Sequence, residues 1–273
     1  MKKDYKIFVA DIDRTLRENF VGLGEINRQA LIELHKRGVL LGIASGRPLW
    51  QRLKGHYLEW DLGFQFDFII GMNGGEIYDT RKNEVKELNF LQPETIKQII
   101  EAMLPTNCNP FIYRDGYMLA LREDELLRKS AERNKNEARL VKDLSEFWEM
   151  PTGKILYRTE TAEEMESTIE PFGKTLENDE IYCFKTAVNL LEFQSRKNNK
   201  GAAVLEYARS NGMTLDDVIA FGDAENDLEM MKMAGYSVCL LNGMPENKAI
   251  ADAITEYRAG EDGVGRWLYD HYF

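Results

Sequence analysis

The sequence predicts an α/β fold, a doubly wound parallel sheet interrupted by an inserted α+β unit. Three observations carry that expectation. Short apolar runs alternate with helical patterns through the first third of the chain, and the same alternation returns near Lys200. Between the two, strand-like stretches come in neighbouring pairs instead. Strand–helix–strand alternation implies right-handed parallel units, whereas paired strands beside helices imply an antiparallel sheet. A length of 273 residues suits two domains of ordinary size. The division expected is a discontinuous core, 1–80 and 188–273, carrying an insert over 81–187.

The elements follow in order. Ile7-Phe8-Val9-Ala10 is an apolar run ending in acidic residues, as a buried parallel strand would be. Ile26, Ala30 and Leu34 share one face of a helix over 25–37, and Gly38 is its stop signal. Strands are expected over 39–44 and 68–71. In the insert, 110–113 pairs with 117–121 through the turn Arg114-Asp115-Gly116, and 181–185 pairs with 189–193. Helices are expected over 93–103, 123–136 and 162–172. The returning alternation places helices over 201–211 and 226–234 and strands over 218–221 and 237–241.

Composition narrows the function. A net charge of −11 argues against sequence-independent binding to nucleic acid or to an anionic membrane. A phosphorylated substrate stays compatible, because one metal ion reverses the field inside a single cleft. Cys108, Cys183 and Cys239 lack metal-ligand spacing and read as small buried hydrophobes. No apolar run reaches the roughly 18 residues of a membrane helix, and no signal-peptide core follows Met1-Lys2-Lys3-Asp4-Tyr5. The chain is expected in the cytoplasm, as a monomer or homodimer.

The chemistry gathers at strand ends. Asp11-Ile12-Asp13-Arg14-Thr15-Leu16 directly follows the first strand, and ligands of open parallel sheets bind beyond the carboxyl ends of strands. Two carboxylates one residue apart repel unless a cation or a shared proton compensates. Ser45-Gly46-Arg47 follows the second strand with a hydroxyl and a flexible backbone suited to a phosphoryl oxygen. Lys200 opens the helix where alternation resumes. Gly222-Asp223-Ala224-Glu225-Asn226-Asp227 follows another strand, and its carboxylates are hard ligands of the kind Mg²⁺ prefers. Singly, each piece also reads as a solvated turn, a helix cap or a surface lysine. Together, and in this order, they point to one site.

On these residues the chain resembles the haloacid dehalogenase superfamily, and within it the Cof-type, sugar-phosphatase-like branch with a large cap. The four superfamily motifs match Asp11–Leu16, Ser45, Lys200 and Gly222–Asp227. Asn73-Gly74-Gly75, the run from Asn242 to Lys248 and Glu261-Asp262-Gly263-Val264 match the branch as well. The resemblance implies a Mg²⁺-dependent phosphatase acting on a small phosphorylated metabolite. It implies Asp11 as nucleophile and Asp13 as general acid/base. Asp11, the Asp13 main-chain carbonyl and Asp223 would hold the metal, and Asp227 would orient that shell. Ser45, Gly46 and Lys200 would bind the phosphoryl group, with Thr15 fixing the loop. The inserted cap would supply specificity, with Tyr113, Arg114 and Lys185 as candidate contacts. A phosphomutase or phosphotransferase on the same fold, or a non-catalytic regulatory protein, is the alternative.

One position departs from the branch, which usually has glycine where Arg14 stands. An arginine there would cost about 1 kcal/mol or more if its backbone needed positive φ. Its side chain would then either reach towards the cap and narrow substrate choice, or lie in solvent.

Overall fold

The computed structural model describes residues 4–18, 21–49, 51–134 and 136–273, in two compact units. In chain order the strands are β1 (Ile7–Asp11), β2 (Leu40–Ala44), β3 (Phe68–Gly71), β4 (Glu76–Asp79) and β5 (Glu84–Glu87). The insert contributes β6 (Pro110–Arg114), β7 (Tyr117–Ala120), β8 (Glu137–Leu140), β9 (Ile155–Arg158), β10 (Ile181–Ala187) and β11 (Leu190–Ser195). The chain then returns through β12 (Val218–Gly222), β13 (Tyr236–Cys239) and β14 (Ala253–Ile254).

The first unit is built on an eight-stranded sheet ordered β14-β13-β12-β1-β2-β3-β4-β5. Its first six strands run parallel. β1 lies inside the sheet between β12 and β2, and all five of its residues are buried. Successive side chains of a strand point to opposite faces. Phe8 and Ala10 accordingly pack with Leu31, Leu34 and Leu268 on one face, while Ile7 and Val9 pack with Ala203, Val204 and Tyr207 on the other. Helices Glu25–Lys36 and Gly263–His271 cover the first face, and Lys200–Ser210 and Leu228–Met233 the second. A strand apolar on both faces can sit only in such a two-sided layer, so the strand ends carrying the motifs all emerge at one edge of the sheet.

The second unit is a six-stranded sheet ordered β10-β11-β9-β6-β7-β8, antiparallel except for the β7–β8 pair. Helix Pro93–Met103 and the helical stretch over 162–174 supply one apolar layer, with Ile96, Ile99, Ile100, Met165 and Ile169 against Ile155, Leu191 and Phe193. Asp115 (φ +48°) and Gly116 (φ +82°) form the expected β6–β7 turn, both left-handed as such a two-residue hairpin requires. Two of the three candidate specificity side chains serve this unit internally. Arg114 donates to the carbonyls of Glu146, Phe147 and Met150, and Lys185 pairs with Glu166 and Glu170.

The domain boundaries differ from those expected. The units are 1–88 with 199–273, and 89–198, against the expected 1–80 with 188–273, and 81–187. The shift has two causes. β4 and β5 form an antiparallel hairpin that extends the core sheet, so that sheet is mixed at its edge. β11 pairs with β10 and β9 and stays with the insert. The expected helix 123–136 spans Glu125–Asn134, and Lys135 lies outside the described residues, as do Met1–Lys3. All three cysteines are buried and free, and burial pushes each thiol up to about 12, as small inert hydrophobes.

The turn after β3 brings a second strand end against the start of helix Lys200–Ser210. Gly74 has φ +110°, and a Cβ there would lie 2.2 Å from the Asn199 carbonyl oxygen. Gly74→Ala should therefore lower stability by at least about 2 kcal/mol. Urea unfolding of the two proteins checks this; equal midpoints and slopes would mean that the close approach is absent.

Candidate active site

Asp11 is the last residue of β1 and lies opposite Ala44 of β2, so Ser45 begins the neighbouring loop. Its Oδ1 accepts a hydrogen bond of 2.5 Å from Lys200 Nζ. Lys200 is the first residue of its helix, held there by Asn199, whose side chain caps the helix through Ala202 N at 2.8 Å. The same ammonium donates to Asp227 Oδ1 at 2.6 Å, and neither Lys200 nor Asp227 is exposed to solvent.

The loop after β12 folds back on itself to present its acids. Asp227 Oδ2 accepts from the main-chain N–H groups of Asp223 and Ala224 at 3.0 and 3.1 Å. Gly222 permits this, because a Cβ there would lie 2.6 Å from that of Asp227. Asp223 Oδ1 accepts from the Thr15 hydroxyl at 2.9 Å, which joins the loop after β1 to the loop after β12. Asn27, which the sequence did not single out, anchors the first loop from beneath. It donates to Leu16 O at 2.7 Å and accepts from Gly265 N at 2.6 Å.

Asp11, Asp223 and Asp227 thus present carboxylate oxygens within 4.8 Å of one another, all buried. Three carboxylates meet one ammonium there, and the proton affinities of Asp11 and Asp223 respond to burial and to this crowding. Burial pushes the Asp11 carboxyl up to about 8, with Asp227 and Asp223 adding to the rise and Lys200 opposing it. Burial and Asp227 likewise raise Asp223 to about 6. Burial alone would lower the Lys200 ammonium, but the carboxylates of Asp11 and Asp227 prevail and hold it above its usual range. Asp223 Oδ2 is buried with no hydrogen-bond donor among the described residues. A small divalent cation fits this donor set: it takes hard oxygen ligands, supplies the missing positive charge and gives that oxygen a partner.

The other residues singled out in the sequence are placed as follows. Ser45 is buried after β2, where its main chain donates to Ile70 O and accepts from Asn73 N, and its Oγ accepts from Arg47 N at 3.2 Å. Gly46 follows, with Asn73 Oδ1 3.0 Å from where its Cβ would lie. Asn73 in turn accepts at Oδ1 from Asn226 Nδ2 at 3.0 Å, which ties the turn after β3 to the acidic loop. Asp13 does not join the cluster of three. Its Oδ1 pairs with Arg17, with Nε donating at 3.1 Å, and its Oδ2 accepts from Arg47 Nη2 at 2.6 Å. Neither arginine was assigned a role from sequence, because Asp13 and Arg17 lie in a turn rather than on a helix, where i,i+4 spacing does not by itself bring side chains together.

Arg14 does have a left-handed backbone, φ +71°. Its side chain is partly exposed to solvent, and the guanidinium Nε lies 3.6 Å from Asp223 Oδ2 while Nη2 donates to Asn242 O at 3.2 Å. Asn242 returns a bond from Nδ2 to Arg14 O at 2.8 Å.

The pattern that defines the haloacid dehalogenase-like hydrolases matches residues 8–268, nearly the whole chain. The chain belongs to this family. Among its relatives, an HMP-PP phosphatase of Cronobacter sakazakii is 30% identical over 239 residues, 86% of this chain and 84% of that one. The crystal structure of a haloacid dehalogenase-like hydrolase from Bacteroides thetaiotaomicron superposes with a TM-score of 0.84 at 28% identity, covering 98% of this chain and all of the other. A Thermotoga maritima protein does so with a TM-score of 0.84 at 26% identity, covering 98% of each chain. The chain is therefore a haloacid dehalogenase-like hydrolase, and relatives of it are named as phosphatases.

Removing the ammonium from this hydrolase would leave buried carboxylates facing one another. Lys200→Met should cost about 3 kcal/mol or more of stability in metal-free buffer. Thermal unfolding with EDTA is the measurement, and a variant as stable as the parent would mean that Lys200 does not carry the charge balance of the cluster.

Proposed function

We propose that this hydrolase cleaves small phosphate monoesters, such as sugar phosphates or similar metabolites, in the cytoplasm with Mg²⁺ as cofactor. The observation that carries the reading is the buried cluster of Asp11, Asp223 and Asp227 around one lysine, with a carboxylate oxygen lacking a donor. Asp11, Asp223 and the Asp13 main-chain carbonyl would hold the ion, which supplies charge neutralisation for an anionic nucleophile and an anionic phosphoryl group.

The chain's own groups perform the rest. An Asp11 carboxylate oxygen bonds to phosphorus as the bond to the ester oxygen breaks, giving an aspartyl-phosphate and the free alcohol. Asp13 gives the departing oxygen its proton, then takes one from the water that cleaves the aspartyl-phosphate and releases inorganic phosphate. Arg17 and Arg47 occupy both oxygens of the Asp13 carboxylate. Proton transfer therefore requires Asp13 to give up one of them as it meets the substrate. Lys200 has three donors and spends two on Asp11 and Asp227. The third, with the Ser45 hydroxyl and the Gly46 backbone, suits the phosphoryl oxygens. Thr15 and Asp227 act by fixing Asp223 and the acidic loop. The inserted unit, 89–198, is the part we assign to substrate choice. No helix among the described residues is long and apolar enough to cross a membrane.

Release of inorganic phosphate from a panel of sugar phosphates, nucleotides and p-nitrophenyl phosphate tests the reading. The parent should turn over with Mg²⁺, stop with EDTA and recover when Mg²⁺ is restored. Asp11→Asn keeps the size of the side chain but loses the nucleophile, and its rate should fall about a thousandfold or more. Undiminished turnover in that variant would exclude attack by Asp11.

A further inference from the structure

We propose that Arg14 is a built-in counter-cation of Asp223 that competes with the divalent ion for this carboxylate, so that the chain demands more free Mg²⁺ than it would with glycine at position 14. The inference rests on the metal site of the proposed function and concerns how that site is loaded. It begins from the charge left over in the cluster. Lys200 is bound to Asp11 and Asp227, which leaves Asp223 without a share of its hydrogen bonds. Thr15 occupies Asp223 Oδ1. Oδ2 is buried and receives no hydrogen bond among the described residues. Among the described residues the cation paired with it is Arg14, through Nε at 3.6 Å, a distance for ion pairing rather than hydrogen bonding.

The position of Arg14 is fixed from several sides. Its N–H donates to Arg17 O at 2.6 Å, and its carbonyl accepts from Asn242 Nδ2 at 2.8 Å. Its Nη2 returns to Asn242 O at 3.2 Å, and Asn242 Oδ1 accepts from Ala259 N at 2.8 Å. A positive φ is unfavourable for a residue with a Cβ, so glycine is the easier occupant of this backbone. What arginine adds is charge beside Asp223. That charge acts on both sides of the binding equilibrium. Without the ion, the guanidinium lessens repulsion among the carboxylates. With the ion at Asp223, the guanidinium faces a second positive charge across a few ångströms of partly buried space, or must leave. Its side chain is 45% exposed, so leaving is open to it. Both effects weaken net metal binding. Arg14 acts through Asp223, as a positioning residue.

Calorimetric titration of the substrate-free protein with MgCl₂ tests this in the parent and in Arg14→Gln, Arg14→Gly and Arg14→Lys. Arg14→Gln keeps a Cβ and removes the charge, whereas Arg14→Gly also relieves the backbone, so the pair separates charge from strain. Both should bind Mg²⁺ on the order of tenfold more tightly than the parent. Arg14→Lys should stay near the parent, because it restores the charge. Binding by Arg14→Gln and Arg14→Gly that is equal to or weaker than the parent's, or absent, overturns the proposal, as does tight binding by Arg14→Lys. Phosphate release from p-nitrophenyl phosphate is measured separately on the parent. An ordered affinity series without turnover would sink the phosphatase reading and leave the role of Arg14 standing; turnover without the series does the reverse.

Discussion

The contact on which the site depends is the ammonium of Lys200 held between Asp11 and Asp227. A buried carboxylate is costly unless paired, and three within reach of one another are costlier still. One lysine settles the repulsion between two of them and leaves the third to Thr15 and Arg14. The resulting deficit of positive charge is a property of the folded chain itself; burial first, and the neighbouring carboxylates second, raise the proton affinities of Asp11 and Asp223. Chemistry on a phosphate group needs a place able to hold a divalent cation. The chain belongs to the haloacid dehalogenase-like hydrolases, and we propose that this deficit serves their reaction.

The sheet explains why these groups can meet. Asp11 and Lys200 are 189 residues apart in sequence, and Thr15 and Asp223 are 208 apart. Parallel pairing of β1 with both β2 and β12 sets the three strand ends side by side. Two close backbone approaches, at Gly74 and Gly222, then let the following turns fold over the cluster without a side chain in the way. Packing of β1 on both faces makes this arrangement rigid, which suits a site whose charges must stay close.

The core strands and the acids at their ends were legible because both signals are local. An apolar run buried on two faces reads as a strand without any partner in view, and the residue after it lies at the carboxyl edge. The hairpin of β4 and β5 was missed because β5 is exposed along its whole length and so carries no apolar run. β8, likewise exposed throughout, was missed for the same reason. Missing the β4–β5 hairpin moved the first domain boundary. The pairing of Asp13 with Arg17 and Arg47, and of Arg14 with Asp223, depends on which rotamers meet in space, and spacing along the chain encodes that only weakly. Arg114 and Lys185 were candidate contacts within the inserted unit, without a signal in the sequence for which way they face. In the folded unit their donors go to nearby carbonyls and glutamates.

The central claim is that Asp11 is the group that bonds to phosphorus at this cluster. Rapid acid quenching during turnover of a good substrate with Mg²⁺, followed by peptide mass analysis, tests it most directly. One phosphoryl group is expected on the peptide carrying Asp11, present with Mg²⁺ and lost with EDTA. A phosphoryl group on any other residue, or sustained turnover with none on the protein, would contradict it.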